Sequence, residues 1–156
     1  MELLASLLRS VADGAGVPPV AQVARAPGMR AVYRLTARYH DRRAADSVAT
    51  LKRISADGGT LEIVYRGHFD HKPLTFRVEQ PRYEGLTLAF QRLNFDKLPD
   101  QTGIPPNGVD LWLLERAAGS FVKSVILSPE IAGEPYTALA TTLQQYLPEA
   151  LREVTI

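Results

Sequence analysis

The sequence predicts an α+β fold, a curved, meander-like antiparallel β-sheet of about seven strands flanked by an N-terminal and a C-terminal helix. Three patterns carry this expectation. Apolar residues recur at helical spacing at both ends of the chain, they alternate with period two through most of the middle, and turn-forming residues punctuate the alternating runs at regular intervals. A partly closed β-barrel with a covering helix is the alternative that the same order of elements allows.

Residues 2–13 form the first predicted helix, with Leu3, Leu4, Leu7, Leu8 and Val11 on one face and Gly14 placed to end it. Residues 14–28 are rich in Gly, Pro and Ala and read as an arm or linker, with a short helix possible over 19–26. The period then becomes two. Tyr33, Leu35, Ala37 and Tyr39 alternate with Val32, Arg34, Thr36, Arg38 and His40, so one strand face is apolar and the other mostly polar. A weaker strand over 47–55 leads to Asp57-Gly58-Gly59, a hairpin signal. Strands are expected over 60–69, over 74–79 and around Leu86, Leu88 and Phe90. Val109–Arg116 and Ser120–Ser128 read as a hairpin, and its first strand is apolar on both faces (Trp112 and Leu114, Leu111 and Leu113), as a strand covered on two sides must be. Tyr136, Leu139, Ala140, Leu143, Tyr146 and Leu147 form the stripe of a last helix over about 135–147, stopped by Pro148.

Length and composition fit one globular domain over residues 1–156, with 46% hydrophobic residues and a net charge of +1. The absence of Cys excludes disulfides, thiolate metal sites and a cysteine nucleophile. The N-terminal segment is acidic at its start and interrupted by polar residues, so it does not read as a secretory leader, and no transmembrane segment is expected. These features point to a soluble, cytoplasmic protein. Arg outnumbers Lys 14 to 4, a bias that fits a GC-rich, bacterial genome. Charge is uneven, with residues 1–55 netting +5 and the remainder −4, and internal pairing of the two halves is the simplest reading.

Four sets of residues are candidates for function. His68, Asp70 and His71 cluster in sequence, and with His40 they would supply imidazole and carboxylate ligands for a divalent metal if the strands bring them together, the basis of a metal-dependent enzyme. Arg34, Arg38, Arg66 and Arg77 share the polar strand face with Glu62 and Glu79, which predicts cross-strand ion pairs or a basic platform for an anionic partner. Nucleic acid is not expected, because no aromatic residues are clearly placed there for base stacking. Residues 94–108 hold three prolines and two glycines and are expected to be the most mobile segment, a lid or contact loop presenting Phe95, Lys97, Leu98, Ile104, Pro105 and Pro106. Finally, Tyr33, Tyr39, Tyr65, Phe76, Phe90 and Trp112 would line a pocket if the sheet encloses one. No phosphate loop or nucleophile elbow is present, Ser120, Ser124 and Ser128 have no base near them in sequence, and no cofactor is predicted. The expected function is a non-catalytic protein-interaction module of adaptor, scaffold or chaperone type, bound to a protein partner or to further copies of itself. A carrier of a small lipophilic ligand is the alternative.

Overall fold

The computed structural model describes residues 2–55 and 57–155, and Met1, Ala56 and Ile156 lie outside the described residues. Helices α1 (Glu2–Gly14) and α2 (Val20–Ala24) precede strands β1 (Val32–Arg38), β2 (Ser47–Lys52), β3 (Gly58–Tyr65) and β4 (Leu74–Glu79). Helix α3 (Gln80–Arg92) follows, then β5 (Leu111–Ala118), β6 (Phe121–Leu127) and α4 (Tyr136–Tyr146), with single helical turns at 69–71, 95–97, 129–131 and 148–151. The strands form one open antiparallel sheet in the order β4-β3-β2-β1-β5-β6.

The sheet therefore has six strands among the described residues. The segment around Leu86, Leu88 and Phe90, expected as a strand, is the middle of α3. Two periods compete there. Leu86, Leu88 and Phe90 alternate, but Tyr83, Leu86 and Phe90 also recur at i, i+3 and i+7, and those three are buried while Leu88 is exposed. Pro81 sits in the first turn of α3, where its missing N–H has no intrahelical acceptor to lose. Asn94, in the left-handed conformation just beyond the last turn, closes the helix. The chain runs as a meander from β1 to β4, and α3 then returns it across the sheet so that β5 pairs with β1.

The sheet is covered on both sides. Its front face carries the main core, in which Tyr33, Leu35, Ala37, Leu51, Leu61, Ile63, Tyr65, Trp112, Leu114 and Leu127 pack against α3 and α4. On the back, Leu4 and Leu8 of α1 pack on Leu111, Leu113 and Ile126, while Val11 and Ala12 pack with Val48. Val20 and Ala24 of α2 cover Val32 and Ala117, so the segment expected as a free arm is seated on the sheet. The two terminal helices thus lie on opposite faces, not together on one. The reason is the doubly apolar β5, whose Leu111 and Leu113 need their own cover behind the sheet.

Two glycines permit close approaches that no other residue allows. Gly58 opens β3 at φ +112°, and a Cβ there would lie 2.2 Å from the carbonyl oxygen of Val78. Gly85 lets α3 meet α4, since a Cβ would come within 2.5 Å of the Tyr146 ring.

Candidate functional site

The structure does not bring His40, His68, Asp70 and His71 together. His71 Nε2 accepts a hydrogen bond from the backbone N–H of Gly67 at 2.7 Å, which closes the 67–71 turn. Among the described residues, the one group of three metal-competent side chains within 4.8 Å of one another is His40, Asp110 and Glu130. Sequence reasoning missed Asp110 and Glu130, which lie 70 and 90 positions after His40 and meet it only because β5 pairs with β1.

This cluster is an ion-pair network. Asp110, almost fully buried, accepts from the His40 backbone N–H at 3.1 Å, from His40 Nδ1 at 2.8 Å and from Arg43 Nη2 at 2.7 Å. Arg43 also reaches Asp41 and Glu153. Burial alone would raise the Asp110 carboxyl, but the hydrogen bonds from Arg43 and His40 win and hold it below the usual carboxylate range. With both carboxylate oxygens engaged by donors, a cation here would have to displace Arg43.

The four arginines expected on one face do lie on strand positions of the back face or just beyond, in four different settings. Arg34 is buried under the α1–α2 connection. Arg38 is half-buried, and the Arg66 guanidinium sits against Gly14 at the end of α1. Arg77 pairs with Glu79 at 3.2 Å on the exposed edge strand β4. Glu62 pairs instead with Lys52. Helices α1 and α2 occupy the middle of the face where an open basic platform would lie.

The 94–108 stretch divides in two. Phe95 and Leu98 are core residues, with Phe95 stacked on Phe90 at 5.2 Å. Asp96 takes Arg116 with two hydrogen bonds of 2.9 and 2.6 Å, which lowers its carboxyl. Asp100 Oδ1 accepts from the N–H of Ile126, the N–H of Gln101 donates to the carbonyl of Ile126, and Gln101 Oε1 accepts from the N–H of Ser128. Residues 94–101 are thus bound to α3 and β6. Lys97 and Pro106 are exposed, and Ile104 and Pro105 are half-buried, with Ile104 against the α1 cluster. The six aromatic residues expected around a pocket pack in or against the main core. Burial pushes the Tyr39 and Tyr83 phenols up to about 12, out of range for proton transfer at neutral pH.

Two features hold polar groups that are left unsatisfied. The first is the free edge of β6. The N–H groups of Ile126 and Ser128 and the carbonyl of Ile126 face away from β5 and are met by Asp100 and Gln101. By strand parity the N–H and C=O of Val122 and Ser124 face the same way, and among the described residues they have no partner. Phe121 and Val122 beside them are 43% and 45% exposed. The other edge strand is defended, since β4 begins after Pro73, displays Arg77 and Glu79, and has its Arg77 carbonyl bound by Arg82.

The second is a polar row that crosses the back face. Register aligns Thr75, Glu62, Thr50, Arg34, Glu115 and Ser124 across all six strands. At its centre Arg34 and Glu115 are 2% and 8% exposed. Arg34 Nε donates to Thr50 Oγ1 at 3.0 Å and Nη1 to the Pro18 carbonyl at 2.7 Å. Burial raises the Glu115 carboxyl, against the opposing pull of Arg34 and Arg9.

No protein-family model and no curated protein matches the chain. No helix among the described residues is long and apolar enough to cross a membrane.

Proposed function

We propose that the protein is a non-catalytic interaction module whose β6 edge receives an extended segment of a partner protein. The observation that carries this reading is the unpaired backbone at Val122 and Ser124 beside the exposed Phe121 and Val122. Such an edge adds a strand through main-chain hydrogen bonds, and the alternating side chains of the guest supply selectivity. With a single charge, Lys123, and no proline, β6 is less protected than β4, and this difference singles out one edge.

A foreign strand fits this edge better than a second copy of the chain. The self-pairing register that satisfies both residues sets Val122 against Ser124 of the other copy, and it places Lys123 directly opposite its own counterpart. Moving the symmetry axis to Val122 relieves that repulsion but pairs Ser124 with Ser120 of the hairpin turn. A guest with an acidic residue opposite Lys123 and apolar residues opposite Phe121 and Val122 has neither fault.

Peptides selected from a random display library against the purified protein test this reading. They should carry an acidic residue next to two consecutive apolar ones and slow amide exchange at Val122 and Ser124. Ser124→Pro removes an outward N–H without breaking the β5 ladder, and it should weaken them by about tenfold or more while leaving the melting transition in place. Selected peptides that bind Ser124→Pro as tightly as the parent, or that protect a different surface, would overturn it.

A further inference from the structure

Arg34 and Glu115 oppose each other in the β1–β5 ladder, yet among the described residues they form no ion pair within 4.0 Å. Arg34 Nη2 is buried and has no hydrogen-bond partner, and Glu115 accepts no hydrogen bond from any described residue. A buried guanidinium nitrogen left without an acceptor is costly to the fold unless something completes it.

Both side chains line a cavity of about 360 Å³ between α1, α2 and the back of the sheet. Arg9 and Asp13 of α1 also line it, so the walls hold two cations and two anions and carry no net charge. The remaining wall is mainly apolar, with Val17, Val20, Ala21 and Val122. Apolar walls beside two charged side chains suit an organic guest with polar groups at one end.

The guest must present an acceptor to Arg34, a donor to Glu115, no net charge and a small apolar body. We propose that this cavity binds a free aliphatic α-amino acid, its carboxylate held by Arg34, its ammonium by Glu115 and its side chain by the valines of α2 and β6. The site shares Val122 with the peptide-accepting edge but is otherwise distinct from it, since the edge uses the outward backbone of β6 and the cavity uses Arg34 and Glu115 behind the sheet.

Calorimetric titration with L-leucine and L-valine tests the proposal, with 4-methylpentanoate and 3-methylbutylamine as the leucine analogues that lack the ammonium and the carboxylate. At least one amino acid should bind at one equivalent, and both analogues should bind about tenfold more weakly or not at all. Glu115→Gln should lose the amino acid by a similar factor with its melting temperature kept or raised. Ala21→Phe, which fills the cavity and leaves both charges in place, should abolish binding in a folded protein. Ser124→Pro should bind the amino acid normally. Absence of heat and of thermal stabilisation with every aliphatic amino acid at about 10 mM, well above the millimolar limit of weak binding, would overturn the proposal. So would equal binding of the analogues, or unchanged binding by Glu115→Gln.

Discussion

At the scale of single residues, the charges that hold this fold are few and specific. Asp110 ties the end of β1 to the start of β5 because one carboxylate takes the backbone and ring of His40 and the guanidinium of Arg43. Asp110→Asn keeps the shape and removes the charge, and it should cost about 1.5–3 kcal/mol at neutral pH, the range for hydrogen bonds to a charged group. The pH dependence follows from the depressed Asp110 carboxyl. An unfolded Asp titrates near about 4. The stabilisation is therefore complete above that pH and disappears as the pH falls through the lower folded value, while the variant has no such loss to suffer. Urea midpoints at neutral and acidic pH should converge for the two proteins. A gap that stays constant as the pH falls through the unfolded and then the lower folded titration would mean that the charge of Asp110 is not what stabilises this corner. Glu115 has the opposite sign. Burial raises its carboxyl, so the empty protein loses stability as pH rises through the unfolded value toward the folded one, and Glu115→Gln should be free of that loss.

At the scale of elements, α4 is the clearest test of how burial follows from pattern. Leu139 and Leu143 lie on its stripe and are fully buried. Each change to Ala should cost about 2–5 kcal/mol in equilibrium denaturation, the range for emptying a buried leucine site. Shifts below about 0.5 kcal/mol would be those of a surface substitution and would make α4 peripheral. The stripe was legible in the sequence because a single period runs through it unopposed, and the same holds for α1 and for β1, β3 and the β5–β6 hairpin. Residues 83–90 were not, because Tyr83, Leu86 and Phe90 satisfy the helical period while Leu86, Leu88 and Phe90 satisfy the strand period, and only packing decides between them. The 94–101 stretch was misjudged for a different reason. Its prolines do deny ladder bonds, but the side chains of Asp100 and Gln101 supply the acceptors that a neighbouring strand would have supplied. Trypsin should therefore cut slowly at Lys97, and the amides of Leu98 and Gln101, bonded to Phe95 and Ile126, should exchange slowly. Rapid cleavage there in the native protein would restore the mobile loop.

At the scale of the whole molecule, one sheet separates the main core in front from three smaller apolar clusters behind, and every pairing between distant strands sets which side chains share a face. That is why the candidate sites were only partly legible. Arg34 and His40 could be named from alternation, but Glu115, Asp110 and the open edge at Val122 and Ser124 depend on β5 lying beside β1 and on β6 lying outermost, which no local pattern states. The layered arrangement makes a further prediction about energy. Leu8 belongs to the back core with Leu111, Leu113 and Ile126, and Leu143 belongs to the front core with α3 and the aromatic residues. No buried cluster contains both, and the sheet stands between them. Each leucine-to-alanine change should cost about 2–5 kcal/mol, and the double variant Leu8→Ala/Leu143→Ala should lose their sum to within about 0.5 kcal/mol, as sites without shared partners do. Because two such losses approach the whole stability of a small domain, about 5–15 kcal/mol, the milder pair Leu8→Val/Leu143→Val keeps the cycle measurable if the alanine double variant is unfolded. A coupling above about 1 kcal/mol, the size seen for residues in contact, would show that strain passes through the sheet. The cavity behind Arg34 and the core in front of it would then have to be treated as one body, with occupation of the first felt in the packing of the second.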